Sequence, residues 1–444
     1  MHSNASPHSD GRLPARGRIE QQIARMDANA ADSALALLRR RDAEALAEAS
    51  AWDALAAATP NLPDLFGLGL TVKACFDVTG WTTTAGSKVL ADTAPASADA
   101  PLVGALRRAG AIVTSQANMT EFAFGALGLN PHYGTPRTPL DPQRERIAGG
   151  STSGGAVAVA LGFADLALGS DTSGSIRIPA AFCGLAGFKP SRGRYPEGGL
   201  IPLSPSFDVP GFMARDIETC ALADRVVTGD VNSSRHRPDL RGCRFIVPSA
   251  FAYDGTEAVV ASAFRRALRV LEQQGAIIVE KEWPELATYG QIAAEGGMIV
   301  SEAFVWHEAI IEAGADRYDP RVGPRIMLGK EVKAASYIRA KEKLAELAHA
   351  YHCDMADCDA VLTPAIPFLP PKIADLTEDA TYFALNRACF RFTELANRID
   401  APSVSLPIDP TEPIGLLLTG RRGGDLDLLD LSRLIQTAFR SPSP

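Results

Sequence analysis

The 444-residue sequence contains no run of 18 or more apolar residues, which excludes a membrane-spanning helix on length alone. Its first 18 residues, MHSNASPHSDGRLPARGR, lack the apolar stretch of a secretion signal and read as a flexible tail. No Cys-x-x-Cys spacing occurs among Cys75, Cys183, Cys220, Cys243, Cys353, Cys358 and Cys389. That odd set supports neither a disulfide framework nor a zinc site, and it fits reduced thiols in a cytoplasmic protein. Cys353 and Cys358 lie near His349 and His352, but HAYHCDMADC also reads as the end of an amphipathic helix, and no metal is expected. Positive charge is not in excess. The net charge of −8 disfavours nucleic acid and anionic membranes as partners, so a small molecule is expected instead. Two catalytic signatures are missing as well: there is no Gly-x-Ser-x-Gly elbow, and no Gly-Lys-Ser/Thr follows a glycine-rich loop.

What is present suits a large globular core, with 46% hydrophobic and 22% charged residues. Residues 19 to about 58 are rich in Ala, Leu, Arg and Glu at helical spacing and predict two helices. FGLGLTVKACFDV then predicts a buried strand running into a loop at Lys73. APLVGALRRA reads as a helix and AIVTS as the next strand. The alternation returns in AVAVALGFADLALGSD, in RFIVPSA, in the helix over 259–274 followed by AIIVE, and in DAVLTPAIP. Such alternation predicts an α/β fold with a largely buried sheet. Residues 287–351 have little strand character and read as a mainly helical excursion, closing in a long helix from Val332. The expected organisation is a tail over 1–18 and a single domain over 19–444.

The segment 149–179, GGSTSGGAVAVALGFADLALGSDTSGSIRIP, places two glycine-and-serine loops on either side of an apolar stretch. Glycine permits the close approaches that side chains forbid, so these loops can bring two serines together. Taken alone, GGSTSGG reads equally as a flexible turn. A nucleophilic serine needs a base. The histidines offer little: His2 and His8 lie in the tail, and only His132, in NPHYGTPR, is near a glycine-rich loop. Lysine serves when burial lowers its pKa. Lys73 directly follows the apolar run GLGLTV, where a solvated charge is not expected; by itself it reads more readily as a strand-end lysine reaching for solvent than as a base.

Three elements occur in order: Lys73 after an apolar strand, GGSTSG at 149–154, and DTSGSIRIP at 171–179. Together with SQANMTEFAFG (115–125), NPHYGTPR (130–137), AAFCGLAGFKPSRGR (180–194), SFDVPGFMARD (206–216), APSVSLP and IGLLLTGRR, they resemble the amidase signature family over roughly residues 19–440. The resemblance implies an amidase signature fold, a large mixed central β-sheet covered by helices on both faces. It implies Ser175 as nucleophile, Ser151 as bridging serine after a cis peptide bond, and Lys73 as base. The backbone N–H groups of Thr172, Ser173, Gly174 and Ser175 would form the oxyanion hole, with Asp171 and Arg177 pairing to hold that loop. Met119, Phe124, Gly125, Gly149 and Gly150 would contact substrate. Thr152 departs from the family's usual second serine, and Ser173 stands where many members have glycine. The implied reaction is amide hydrolysis through an acyl-enzyme without cofactor or metal.

Substrate choice is read from the segments 119–129, 292–328 and 366–371, which are mainly apolar with some aromatic residues. They favour hydrophobic or aryl amides, then aryl carbamates (urethanes). Two rival readings are a glutaminase-type subunit of an amidotransferase complex and a catalytically silent scaffold. A homodimer stays open; no nucleic acid or membrane is expected as partner.

Overall fold

The computed structural model describes residues 14–59, 61–230 and 237–440. The tail expected over 1–18 lies outside the described residues up to Leu13, and the first helix, Ala15–Ala28, already includes the last four residues of that span. Asp53, on a later helix, accepts hydrogen bonds from the N–H groups of Ala15 and Arg16. A carboxylate at these unpaired first-turn donors caps the helix earlier than the composition suggests.

Among the described residues, eleven strands form one mixed sheet. In chain order they are β1 (Leu37–Arg40), β2 (Gly69–Lys73), β3 (Ile112–Ala117), β4 (Leu166–Asp171), β5 (Ala186–Lys189), β6 (Val209–Ala214), β7 (Arg244–Pro248), β8 (Ile277–Lys281), β9 (Ala360–Pro364), β10 (Ser403–Pro407) and β11 (Gly415–Thr419). Across the sheet the order is β1-β3-β2-β4-β6-β5-β10-β11-β9-β7-β8. β2 runs parallel to both β3 and β4. β6, β5, β10 and β11 form an antiparallel centre, and β7 lies parallel to β8 and β9.

Both faces of the sheet are buried, as alternation along single strands shows. Leu166 and Leu168 of β4 join Leu70 and Val72 in one apolar cluster, whereas Ala167 points the other way, into a cluster with Ala156 and Val159. Phe212 and Met213 of β6 divide in the same manner. Helices therefore cover both faces, and the strands read as near-continuous apolar runs. The helix Ser153–Leu161 occupies the second face and stops at Gly162, whose φ of 73° is the left-handed turn that ends a helix.

β1 corrects the expectation of two helices over residues 19–58. The chain there forms the helices Ala15–Ala28, Ala30–Ala36 and Asp42–Ala58, with a strand between the last two. LLRR carries no local strand signal; it becomes a strand because it meets the open edge of β3, with Leu37 opposite Ala117 and Arg40 opposite Ser115.

Between β8 and β9 the chain leaves the sheet for the helices Tyr289–Glu295, Met298–Gly314, Gly323–Met327 and Ala334–Asp354. A stacked pair, Trp283 on Tyr351 with ring centroids 5.4 Å apart, anchors the last of these. No helix among the described residues is long and apolar enough to cross a membrane.

Candidate active site

β2 and β4 are parallel neighbours, so their C-terminal ends emerge side by side. Lys73 is the last residue of β2, and Ser170 and Asp171 end β4. The glycine-rich loop before the helix Ser153–Leu161 crosses over this edge and delivers Ser151. Lys73 is fully buried, and its Nζ lies 2.7 Å from Ser151 Oγ, 2.8 Å from Ser170 Oγ and 3.2 Å from the Ser170 carbonyl. Burial lowers its pKa from the ordinary lysine value, against the pull of Cys75, Asp171 and Asp208. No carboxylate touches Nζ among the described residues, so the acceptors at contact distance are all neutral oxygens.

The Gly150–Ser151 peptide is cis. Gly150 is confined: a Cβ there would lie 2.7 Å from Thr120 Oγ1 and 2.8 Å from the Gly128 nitrogen. The N–H of Thr120 donates to the Ser151 carbonyl at 3.1 Å, and the Gly150 N–H to the Ala126 carbonyl at 2.6 Å. The loop 119–128 is thereby fastened to the serine loop at Thr120, Ala126 and Gly128, while Gly125 of the same loop lies against Tyr382 and Asn386. Met119 is buried, and the Phe124 carbonyl accepts from Arg325 Nη1 at 2.8 Å while its ring lies 4.4 Å below that guanidinium.

The second serine loop is held from within. Arg177 and Asp171, both fully buried, pair through Nη2–Oδ1 at 2.8 Å and Nε–Oδ2 at 3.1 Å. Burial alone would raise the Asp171 pKa, but the charge and hydrogen bonds of Arg177, with Lys189 beyond, lower it to about 2. The same carboxylate accepts the N–H of Ile176 at 3.1 Å and of Gly174 at 2.7 Å. Gly174 therefore corrects the expected oxyanion set: its N–H is already taken by Asp171. The N–H groups of Thr172, Ser173 and Ser175 make no hydrogen bond among the described residues and remain available. Gly174 has a φ of 133°, and a Cβ would stand 2.2 Å from Thr393 Oγ1, so no larger residue fits.

Ser175 is 2% exposed. Its carbonyl accepts the Thr152 N–H at 3.2 Å, which ties the two serine loops together, while its Oγ makes no hydrogen bond among the described residues. The Lys73–Ser151 link is thus formed and the Ser151–Ser175 link is not.

The departures from the family pattern have definite places. A Cβ on Gly155 or Gly169 would stand 3.0 Å from the Thr152 methyl, so the threonine packs between helix and strand. The Ser173 hydroxyl accepts from Arg398 Nη2 at 2.9 Å. His132 lies elsewhere: its Nε2 is 2.9 Å from Glu121 Oε1, and burial lowers its pKa. His349 Nε2 stands 3.7 Å from Cys353 Sγ, and no group of three or more metal-ligating side chains occurs among the described residues. Of the segments read for substrate choice, Met298 is buried beside Phe207, while Phe304 packs under Gly329.

Several contributing residues escaped the sequence reading. Ser170 was visible as a hydroxyl in the strand LALGSD beside GLTVK. Asp208, in the quoted SFDVPG, accepts from Thr172 Oγ1 at 2.5 Å and from the N–H groups of Leu203 and Ser204. Thr393, Asn397 and Arg398 carry no local signal. Thr393 Oγ1 donates to the Ser173 carbonyl at 2.6 Å, and Asn397 Nδ2 to the Asp171 carbonyl at 2.8 Å.

Comparison with known proteins identifies the family. The family model described as Amidase matches residues 19–429. The 2-amino-5-chloromuconic acid deaminase of Comamonas testosteroni is 33% identical over 395 residues, covering 88% of this chain and 85% of that one. A glutamyl-tRNA(Gln) amidotransferase subunit of Methanospirillum hungatei is 33% identical over 409 residues, covering 84% and 92%. A crystal structure of an amidase superposes with a TM-score of 0.87 at 30% identity, covering 96% of this chain and 97% of that one.

Proposed function

Since the chain belongs to the amidase signature family and is a hydrolase of C–N bonds, we propose that it cleaves amides through Ser175, Ser151 and Lys73. The observation that carries this reading is a buried lysine amine 2.7 Å from a serine hydroxyl, on a strand edge where burial favours the neutral amine. Ser175 Oγ attacks the substrate carbonyl, its proton passes to Ser151, and Ser151 gives its own to Lys73. The negative charge that develops on the carbonyl oxygen meets the N–H groups of Thr172, Ser173 and Ser175, which are fixed before the reaction begins. On collapse the proton returns along the same path to the leaving amine. Water then attacks the acyl-enzyme and frees the acid. Asp171 and Arg177 position the loop and do not touch the reacting atoms.

Hydrophobic or aryl amides are the proposed substrates, with aryl carbamates next. Their support is the apolar character of the segment 119–129, in which Met119, Phe122 and Phe124 are buried. A glutaminase-type subunit is the second reading, favoured by the amidotransferase relatives at about one-third identity. Hydrolysis of a simple anilide by the purified chain without partners separates the two. The nucleophile is tested by intact-mass measurement after treatment with a fluorophosphonate. One adduct is expected on the native protein and none on Ser175→Ala; equal labelling of both would refute the assignment.

A further inference from the structure

A cleft of about 380 Å³ lies between the helix Ala334–Asp354, the Ser206–Phe207 turn and the segment 398–400. Phe207, Met298 and Leu344 give it a buried apolar wall. Four cationic side chains, Arg192, Lys341, Arg398 and Arg422, line it against a single carboxylate, Asp400. Asp400 is already engaged, 3.1 Å from Arg422 and 3.4 Å from Arg192. Lys341 has no acidic partner among the described residues. Positive charge therefore exceeds negative at the mouth of a cleft whose wall is apolar.

Arg398 connects this cleft to the chemistry. Its side chain is 2% exposed. Its Nη groups donate to the Thr172 carbonyl at 3.2 Å and to the Ser173 hydroxyl at 2.9 Å, and lie 3.3 Å from Glu394. Its Nε is buried without a hydrogen-bond partner among the described residues. A buried donor left unpaired costs free energy that an incoming acceptor recovers. Thr172 and Ser173 are also two of the three residues whose N–H groups are available to an oxyanion. Arg398, which lines the cleft with its guanidinium 4.3 Å from the Phe207 ring, is thus also the residue that braces this loop.

We propose that the cleft binds a small carboxylate with an apolar stem, drawn in by Lys341 and Arg422 and coupled through Arg398 to the loop of Thr172 and Ser173. A carboxylate is a stronger acceptor for a guanidinium than the neutral Ser173 hydroxyl. Its arrival redistributes the hydrogen bonds of Arg398 and changes the brace on the oxyanion donors. The carboxylate has two sources: a group borne by the substrate itself, or a free acid such as hydrolysis releases.

Benzoate and its neutral isostere benzamide serve as probes, titrated into the full-length protein by calorimetry. This readout does not depend on hydrolysis, so failure of the serine assignment leaves it intact. Benzoate is expected to bind and benzamide to bind at least about tenfold more weakly. The double substitution Lys341→Gln/Arg422→Gln, at exposed positions, is expected to weaken benzoate about tenfold while leaving turnover of a neutral anilide unchanged without benzoate. Equal binding of benzamide, or undiminished benzoate binding by the double variant, overturns the site. Kinetics with the anilide identify the source. A raised KM alone means that the cleft holds the carboxylate of a substrate; a changed kcat at saturating anilide means a free acid acting through Arg398. No change in either parameter at saturating benzoate overturns the coupling.

Discussion

Two lysines end strands of the same sheet, and both are fully buried: Lys73 closes β2 and Lys189 closes β5. Burial lowers the pKa of each. Lys189 is brought to about 7 by burial and then by the like charge of Arg177, with Asp171, Asp425 and Asp400 opposing. What distinguishes them is the company of the amine. Lys73 meets two hydroxyls, Ser151 and Ser170, one of which lies on the loop packed against Ser175. Among the described residues the Nζ of Lys189 donates only to the Pro190 carbonyl, at 2.6 Å, and a carbonyl carries no proton to relay. A depressed pKa is common to both regions; a hydroxyl at hydrogen-bond distance, where the proposed relay would begin, is found in one. A buried lysine is thus not by itself a signature of the proposed chemistry.

The largest expected effect is that of removing the amine from the relay. Lys73→Ala should lower kcat/KM by about 10⁴-fold near neutrality, the upper range for a general base. In the native protein kcat/KM should rise through one ionisation below the ordinary lysine value and stay high in alkaline solution, as steady-state pH profiles would record. Near-normal turnover by Lys73→Ala would erase the distinction between the two lysines. A smaller effect is expected at Ser170, whose hydroxyl accepts from the amine and so favours its charged form. Ser170→Ala should cost about tenfold in kcat/KM and move the acid limb of the profile to lower pH; an upward move would mean that Ser170 does not stabilise the ammonium.

The smallest effect on catalysis is expected at Lys189. Lys189→Met should change kcat/KM by less than about threefold and leave the acid limb in place, because replacing a buried charge by an apolar group of similar size is often neutral or stabilising. Its consequence is in stability. A lysine with a folded pKa near 7 binds fewer protons folded than unfolded between about 7 and 10.4, so its contribution to stability rises with pH across that window. Melting temperatures at pH 7 and pH 9 should therefore differ less in Lys189→Met than in the native protein. A loss of activity as deep as that of Lys73→Ala would break the comparison from the other side.

The strands β2, β3, β4, β7, β8 and β9 were legible in the sequence because each is a short apolar run bounded by turn residues or a helix. β1 was not, since Leu37–Arg40 owes its conformation to the β3 edge. The pairing of Asp171 with Arg177 was legible only through the resemblance of DTSGSIRIP to the family motif. The loss of the Gly174 N–H to Asp171 was not, because it depends on how a backbone turns and not on which residues are present. Burial does not distinguish Lys73 from Lys189, as each ends a buried strand; Lys73 was singled out by its place before the two serine motifs.

The ties on the Ser175 loop carry a consequence for how the protein is made. Arg177 bonds to the Thr393 carbonyl 216 positions onward, Thr393 to Ser173 across 220, Arg398 to Ser173 across 225, and Asn397 to Asp171 across 226. Chains leave the ribosome from the N-terminus, at about 5–20 residues per second. A nascent chain that ends before Thr393 has its serines and its lysine but none of these ties, and it also lacks β10 and β11 from the middle of the sheet. Contacts so distant in sequence form only after a large loop closes, which makes them slow to appear. The Ser175 loop is therefore set only after synthesis has passed residue 398, and a chain cut short of that point carries the motif without its architecture.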